Sequence, residues 1–294
     1  MLFLRYQMSE QLLITDESWC VIYLSRHTLN WVVRTMFKAV DYVRPKSIDE
    51  AHDLFVSNTN SQILGGGTYL YLSKRTIQLL IDLQETSLKY ISQRDGKIRI
   101  GAMSTLSDVE ESDIFKNAFN GLVKKVVSDI WSYQLRNAAT VGGTVYSRLG
   151  FSEFLTLLAV LDVDVVFHNT GVISIKDFLK MPPLRDILKE IVITENDLKV
   201  SFQVFKRTHF DFPVLSLAVA RCDDEFRIAV GSRPGCALLA KDTPKLLSEG
   251  CRDLKTVCDS LIREIPFADD LRASSEYRRH VCGVLFKRAL SEVL

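Results

Sequence analysis

Two glycine-rich segments hold the residues whose types and spacing best suit ligand chemistry. The first, Leu64 to Leu70, reads LGGGTYL and follows a short apolar run. Three consecutive glycines remove every Cβ, so successive backbone N–H groups can point into one concavity that suits a diphosphate, and Thr68 adds a hydroxyl donor. The segment is not a Rossmann fingerprint, because Leu70 stands where a third glycine belongs, and it is not a P-loop, because no Gly-Lys-Ser/Thr follows. A tight turn that requires a positive φ is the alternative explanation.

The second segment, residues 135–144, combines small residues with neutral polar ones. It reads LRNAATVGGT, and Asn137, Thr140 and Thr144 offer neutral donors and acceptors. Neutral donors rather than lysine clusters suit a diphosphate that is held and not attacked. Each segment alone is also compatible with an ordinary turn. Two of them on one chain, each next to a threonine, favour a shared site.

Composition excludes several classes of protein. The 294 residues carry 37 Lys and Arg against 36 Asp and Glu, a formal net charge of +1, so there is no basic excess of the kind that binds nucleic acid. The six cysteines form no C-x-x-C pair, which predicts neither a zinc nor an iron–sulfur site and is typical of the reduced thiols of a cytoplasmic protein. No apolar run reaches the ~20 residues that a membrane span needs. We find no convincing pair of catalytic acid and base, and we predict no metal ligands.

The elements that must position the two segments predict an α+β fold, because strands and helices follow each other in blocks. A capping box begins a helix at Ser47, and residues 76–83 form an apolar, buried-type strand. Residues 88–92 and 97–101 flank an Asp-Gly turn and predict a hairpin. Residues 114–127 show the pattern of one amphipathic helix.

The chain divides into three predicted regions. Residues 1–35 fit poorly with the rest of the chain, and we expect either a poorly ordered leader or mis-assigned start, or an extra element that packs on the body. Residues 36–183 and 184–294 form two domains, with a boundary at the Met-Pro-Pro run that ends at residue 183. In the second domain, helices follow an antiparallel sheet that is predicted from apolar runs at 191–193, 200–205, 215–220 and 226–230.

The paired segments make this sequence resemble the FAD-binding subunits of molybdenum hydroxylases, the xanthine dehydrogenase and carbon monoxide dehydrogenase family. The first motif of that family reads roughly A-G-G-T-D-L, against G-G-G-T-Y-L here. The second reads R-N-x-A-T-x-G-G-N-I, against R-N-A-A-T-V-G-G-T-V here. The run from Asp270 to Arg279 also resembles the closing segment of the family. The resemblance implies a vanillyl-alcohol-oxidase (PCMH)-type FAD-binding domain in residues 36–183, followed by a C-terminal α+β domain with an antiparallel sheet and helices.

The resemblance also implies roles for individual residues. The first segment would wrap the FAD diphosphate and part of the flavin, and Ala139 to Gly143 would form a second loop on the phosphate side. Glu153 would contact the adenosine portion, Leu188 would pack against the isoalloxazine ring, and Lys206 would lie at the flavin edge. The expected cofactor-binding residues are Leu64, Gly65, Gly66, Gly67, Thr68, Tyr69, Leu70, Ala139, Thr140, Val141, Gly142, Gly143, Thr144, Glu153, Leu188 and Lys206.

Three of these residues have simpler explanations. Glu153 could begin a helix, where a carboxylate complements the helix dipole. Leu188 could be a plain core residue, and Lys206 a solvated lysine. The sequence also departs from the family pattern at four positions: Tyr69 replaces an acid, Thr144 an asparagine, Gly150 a proline and Glu153 an aspartate.

The function that the resemblance implies is electron transfer within a larger enzyme. Substrate would be oxidised at molybdopterin on a large partner subunit, and electrons would pass through two 2Fe-2S clusters on a small partner subunit to FAD on this chain. NAD or another acceptor would then take them. One alternative is an assembly or binding subunit that keeps the fold with weak or lost FAD binding, motivated by Tyr69 and Thr144. A stand-alone flavin oxidase or reductase is another.

Overall fold

The computed structural model describes residues 37–73 and 75–294. The predicted N-terminal region, 1–35, lies outside the described residues. Within these residues the fold is α+β, as predicted, and consists of three sheets with helices packed on them. No helix in the described ranges is long and apolar enough to cross a bilayer.

The first sheet is small and parallel. Its strands lie in the order β1-β3-β2, and their ranges are β1 (Lys38–Val43), β2 (Ser61–Leu64) and β3 (Thr76–Asp82). Helix α1 (Ile48–Ser57) connects β1 to β2, and the side chain of Ser47 caps it by accepting the Glu50 N–H at 3.1 Å, as the capping box predicts. The apolar face of α1 buries Ala51 and Phe55. The first glycine segment therefore begins where β2 ends, at the carboxyl edge of this sheet.

The second sheet has five antiparallel strands in the order β4-β5-β8-β6-β7. Their ranges are β4 (Ile91–Arg94), β5 (Lys97–Gly101), β6 (Asp162–Phe167), β7 (Val172–Ser174) and β8 (Leu188–Thr194). Strand β8 pairs with both β5 and β6 and so lies at the centre. The boundary predicted at residue 183, and the prediction that 191–193 belongs to the C-terminal sheet, are therefore wrong. The apolar run of β8 carries no signal for which sheet it joins, since both sheets bury it equally well.

Helices cover one face of this sheet and enclose its core. Their ranges are α2 (Leu106–Glu111), α3 (Ile114–Asn117), α4 (Leu122–Ser128), α5 (Tyr133–Ala138), α6 (Val141–Tyr146), α7 (Glu153–Leu158) and α8 (Ile175–Phe178). The single helix predicted for 114–127 is wrong, because Phe119 and Asn120 have φ angles of 51° and 53° and Gly121 has 75°. Three consecutive left-handed residues end one helix and start another, which the apolar periodicity of the segment does not reveal.

The third sheet is antiparallel, as predicted, with the order β12-β11-β10-β9. Its strands are β9 (Lys199–Phe205), β10 (Leu215–Cys222), β11 (Glu225–Gly231) and β12 (Leu238–Leu239). Three helices follow, α9 (Asp242–Ser248), α10 (Leu254–Glu264) and α11 (Ser275–Val293). Helix α11 lies on β9 and β10 and buries Cys282, Phe286 and Leu290.

A buried arginine explains the closing run of the sequence. The Arg278 side chain is fully buried, and its Nη2 lies 2.6 Å from the Asp270 carboxylate. Its Nε bonds the carbonyl oxygens of Val214 and Ser232, and its Nη1 bonds those of Ala268 and Ala273. A guanidinium in which each of the three nitrogens has an acceptor can stay charged in the interior, so Arg278 ties the start of α11 to three neighbouring segments.

Candidate functional site

The two glycine segments lie directly against each other. A Cβ built on Gly66 would lie only 1.4 Å from the carbonyl oxygen of Ala138, and one built on Gly65 would lie 2.6 Å from Thr140 Oγ1. No residue larger than glycine fits at Gly66 without moving the backbone of the second segment. The sequence predicts that the two segments meet at one place, and this contact agrees with that prediction.

The first segment presents free backbone donors. Gly67 is left-handed, with a φ of +70°, and its carbonyl accepts the Tyr71 N–H at 2.8 Å. Within the described part of the chain, no acceptor bonds the N–H groups of Gly66, Gly67 and Thr68. N–H groups without a protein acceptor in a half-buried loop bond either water or a ligand, and one anion can accept from several consecutive N–H groups at once.

The second segment differs from its prediction, because residues 141–143 are the first turn of α6 and not a free turn. Thr140 caps this helix by accepting the Gly143 N–H at 3.1 Å. The Val141 N–H donates to Ser104 and the Gly142 N–H to Ala102, both at 2.8 Å. The expected backbone donors are thus already bonded within the protein.

Packing explains the glycines of the second segment. A Cβ on Gly142 would lie 2.6 Å from the Cβ of Ala102, which directly follows β5. The role of the second segment is therefore steric. It packs against the five-stranded sheet, and the first segment packs against it.

Arg136, also part of the second motif, is a structural residue. Its Nε and Nη2 bond both carboxylate oxygens of Glu110, at 2.6 and 3.2 Å, and its Nη1 donates to the Ile130 carbonyl at 2.7 Å. This two-point ion pair fixes α5 to α2. Sequence reasoning missed the partner, because nothing local links Glu110 to Arg136.

The two charged residues of the predicted site form a buried ion pair. Lys206 Nζ lies 2.8 Å from Glu153 Oε1 and donates to the Asp129 carbonyl at 2.7 Å. Their side chains are only 9% and 5% exposed, so Lys206 is not a solvated lysine. The resemblance placed Glu153 at the adenosine and Lys206 at the flavin edge, which are opposite ends of FAD. Because the two side chains touch, they would meet the same part of a bound ligand.

The ion pair has unused hydrogen-bonding capacity. Glu153 Oε2 is buried without a partner, and two of the three Lys206 ammonium protons account for its two bonds. Burial raises the pKa of Glu153 to about 7, although Lys206 acts in the opposite direction. A free acceptor thus lies beside a free donor, an arrangement that fits a ligand edge carrying an N–H next to a carbonyl.

Leu188 is better explained as a core residue. It begins β8, is 5% exposed and belongs to the main hydrophobic cluster.

Aromatic side chains connect the first segment to the C-terminal part of the fold. The Tyr69 ring lies 6.2 Å from that of Phe151, and Phe151 lies 4.3 Å from Phe212. The Arg272 guanidinium covers Phe212 at 5.2 Å. We call Tyr69, Phe151, Phe212 and Arg272 the aromatic row. Tyr69 is 53% exposed, so its ring has a face that a ligand can contact.

A wide cleft elsewhere is separate from this site. It measures about 720 Å³, and Gln93, Asp113 and Glu195 are among its lining residues, at the end of the five-stranded sheet that is remote from Ala102. Within the described residues, no group of histidine, cysteine or carboxylate side chains is placed to hold a metal ion.

Comparison with known proteins identifies the family. Residues 35–196 match the FAD binding domain in molybdopterin dehydrogenase, and residues 200–293 match the CO dehydrogenase flavoprotein C-terminal domain. The protein YgfM of Escherichia coli is 29% identical over 248 residues, which cover 83% of this chain and 92% of that protein. The glyceraldehyde dehydrogenase medium chain of Sulfolobus acidocaldarius is 26% identical over 274 residues, covering 86% and 97%.

A solved structure shares the fold. The reconstituted CO dehydrogenase from Oligotropha carboxidovorans aligns with a TM-score of 0.79 at 22% identity, covering 88% of this chain and 99% of that chain. The two family matches meet between residues 196 and 200, directly after β8. The first of them alone spans more than half of the sequence. This chain therefore belongs to the molybdenum hydroxylase family, in which it is an FAD-binding subunit and an oxidoreductase component.

Proposed function

We propose that this chain holds FAD noncovalently and relays electrons from iron–sulfur clusters on a partner subunit to NAD or another acceptor. Two observations carry the proposal: the two segments meet at Gly66 and Ala138, and the N–H groups of Gly66, Gly67 and Thr68 have no acceptor among the described residues. When bound, FAD supplies the redox chemistry, and the protein supplies binding and orientation.

The first segment fits the diphosphate of FAD. Its free N–H groups provide several donors without a competing side chain, and a Cβ at Gly66 would close the space. Backbone donors that are fixed before binding hold an anion at little entropic cost. We assign Leu64 to Leu70 as the diphosphate site and residues 139–144 as its support.

The ion pair fits the pyrimidine edge of a flavin. That edge carries an N–H between two carbonyl groups, and Glu153 Oε2 and Lys206 Nζ offer the matching acceptor and donor. Lys206 also holds a positive charge in a buried position, where it stabilises negative charge on a bound ring. We therefore place both residues at the flavin, in place of the separate roles predicted from the sequence.

The partner subunits are inferred from what this sequence lacks. It contains no C-x-x-C pair, so iron–sulfur clusters are expected on another chain. The name of the Sulfolobus relative, a medium chain, supports an assembly with a large and a small subunit. We propose a molybdopterin-binding large subunit and a two-cluster iron–sulfur small subunit.

The flavin content of a Gly66→Ala variant tests the proposal. The added Cβ would lie 1.4 Å from the Ala138 carbonyl oxygen, so the segments must separate by about 2 Å to reach normal contact. We expect the purified wild type to show flavin absorption that acid denaturation releases, and the variant to retain less than about a tenth of the flavin, since a displacement of this size removes the fixed donors.

Gly96→Ala is the matched control. Gly96 also has a positive φ, +68°, but no atom lies within 4 Å of its added Cβ, and it sits in the β4–β5 turn. This variant should keep its flavin. Wild-type flavin content in Gly66→Ala would contradict the assignment of the first segment.

A second candidate function is a fold-retaining assembly subunit with weak or lost FAD binding. It is favoured by the second segment, whose N–H groups at Val141, Gly142 and Gly143 are all bonded within the protein. Colourless wild-type protein that takes up no added FAD would support this function and contradict the first.

A further inference from the structure

A cavity next to the aromatic row, which shares Arg272 with it, has no ligand assigned by the function proposed above. It measures about 400 Å³ and is lined by Phe205, Arg207, Arg272, Ala273, Ser274 and Tyr277. Its size lies in the range of small-molecule sites. We propose that this cavity binds the nucleoside diphosphate portion of a nucleotide electron acceptor, with the phosphates on the two arginines and a ring on Tyr277.

Two arginines line the cavity, and each has guanidinium N–H groups that bond no acceptor among the described residues. Arg207 uses Nη2 to bond the backbone carbonyl of Arg272, and Arg272 uses Nη1 to bond Asp270 at 3.0 Å. Within the described residues, no other acceptor bonds these two side chains. The Nε and Nη1 groups of Arg207 and the Nε and Nη2 groups of Arg272 are thus available, and such forks bind phosphate oxygens two at a time.

The charge at this wall is positive. Asp270 is the carboxylate that pairs with Arg272, and it also pairs with the buried Arg278 at 2.6 Å. One carboxylate therefore serves two guanidinium groups, while Arg207 has no carboxylate partner in the described part of the chain. An anionic ligand would neutralise this excess of positive charge.

The start of α11 is not what recognises the anion. The Ser275 N–H already donates to Asp269, and the Tyr277 N–H to Ser274 Oγ at 3.2 Å. Because these helix donors are occupied, the recognition comes from the arginine side chains.

An aromatic wall supplies the place for a ring. The Tyr277 and Phe205 rings meet edge to face, with centroids 6.1 Å apart. Tyr277 is 45% exposed, so part of its ring remains open to the cavity. A planar base can stack on such a face, which a simple inorganic anion cannot use.

The position of the cavity favours an electron acceptor over an unrelated nucleotide. Lys206, whose side chain meets Glu153, stands between Phe205 and Arg207, which line the cavity. The ion pair and the cavity are therefore formed in part by consecutive residues at the end of β9. The role of the nucleotide as an electron acceptor rests on the proposed function, whereas nucleotide binding itself does not.

Calorimetric titration of the purified, FAD-containing protein with ADP and with NAD tests the proposal. We expect both to bind, and Arg207→Gln to weaken both about tenfold or more, the loss typical of charged hydrogen bonds to phosphate. Arg279→Gln is the control: this arginine is on α11 and its side chain lies over Phe267, so the change should alter affinity by less than about twofold. Tyr277→Ala should weaken ADP and leave inorganic pyrophosphate unaffected.

Three results would overturn the proposal: no ADP binding up to millimolar concentration, equal affinities of wild type and Arg207→Gln, or ADP binding that appears only in FAD-free protein and is lost when FAD is added. The last result would assign the cavity to FAD itself. Failure of the proposed function is distinguishable, because colourless protein that still binds ADP through Arg207 refutes FAD carriage and keeps the cavity.

Discussion

Replacing Glu153 by glutamine should remove a large part of the pH dependence of stability. Burial raises the pKa of this carboxyl from 4.5 to about 7, so the folded protein binds the proton more tightly than the unfolded chain does. A raised carboxyl pKa contributes stability that is fully present below pH 4.5 and is lost as the pH rises to about 7.

The size of this effect is set by the pKa rise. It corresponds to about 3 kcal/mol of unfolding free energy between pH 4.5 and pH 8, and the conversion is justified because the side chain is only 5% exposed. A glutamine side chain does not titrate. The unfolding free energy of the variant minus that of the wild type should therefore increase by about 3 kcal/mol as the pH rises from 4.5 to 8.

Urea unfolding at matched flavin content, repeated at several pH values from 4.5 to 8, measures the difference. Glu249→Gln, which changes an exposed glutamate, should keep the wild-type dependence. The double variant Glu153→Gln, Lys206→Met removes both buried charges and should lose the same pH dependence of the unfolding free energy. It provides the test if an unpaired Lys206 prevents the single variant from folding. Parallel curves for wild type and Glu153→Gln would refute the argument that this carboxyl titrates in a buried site.

Two further substitutions test the packing that supports the site. Gly142→Ala places a Cβ 2.6 Å from that of Ala102, so we expect overpacking to cost about 1–3 kcal/mol and to lower the melting temperature, whereas Gly283→Ala, at a position within α11 whose nearest neighbour lies 3.5 Å from the added Cβ, should cost less; equal losses would contradict the packing role. Arg278→Met removes the buried guanidinium that bonds four carbonyl groups and leaves Asp270 with Arg272 as its one remaining cation among the described residues, so it should cost about 3–5 kcal/mol in urea unfolding, against under about 1 kcal/mol for Arg279→Met at the exposed neighbouring position; a mild effect at Arg278 would show that its bonds are dispensable.

The parts of the fold that sequence predicts well are those with local signals. The capping residue Ser47, the turn between β4 and β5 and the apolar strands β9, β10 and β11 are each encoded within a few residues. The first glycine segment belongs to this group, because three glycines in a row have few uses other than a close backbone approach. These elements are found where the sequence predicts them.

Non-local pairing accounts for the errors. The run Leu188–Thr194 is equally apolar in either sheet, and only the partner strands decide that it lies between β5 and β6. The break at Phe119 and Asn120 is similar, since both residues fit the apolar pattern of a helix while their backbone is left-handed. Pattern reasoning detects which residues are buried, not the partners against which they are buried.

The candidate site shows the same division. The contact between Gly66 and the second segment was expected from the paired motifs, whereas the ion pair of Lys206 with Glu153 joins residues far apart in sequence. Charged residues are usually solvated, so sequence alone favours the wrong environment for both. The strong shift in the pKa of Glu153 arises only once the fold has enclosed it.

The central place of β8 has a consequence for synthesis of the chain. Strands β5 and β6 do not pair with each other, and each needs β8 as its neighbour. Until residues through Thr194 have left the ribosome, β5 and β6 therefore each have one edge that lacks its partner strand β8. At ~5–20 residues per second this interval lasts on the order of seconds, long enough for a nascent chain to depend on chaperones that shield exposed edges.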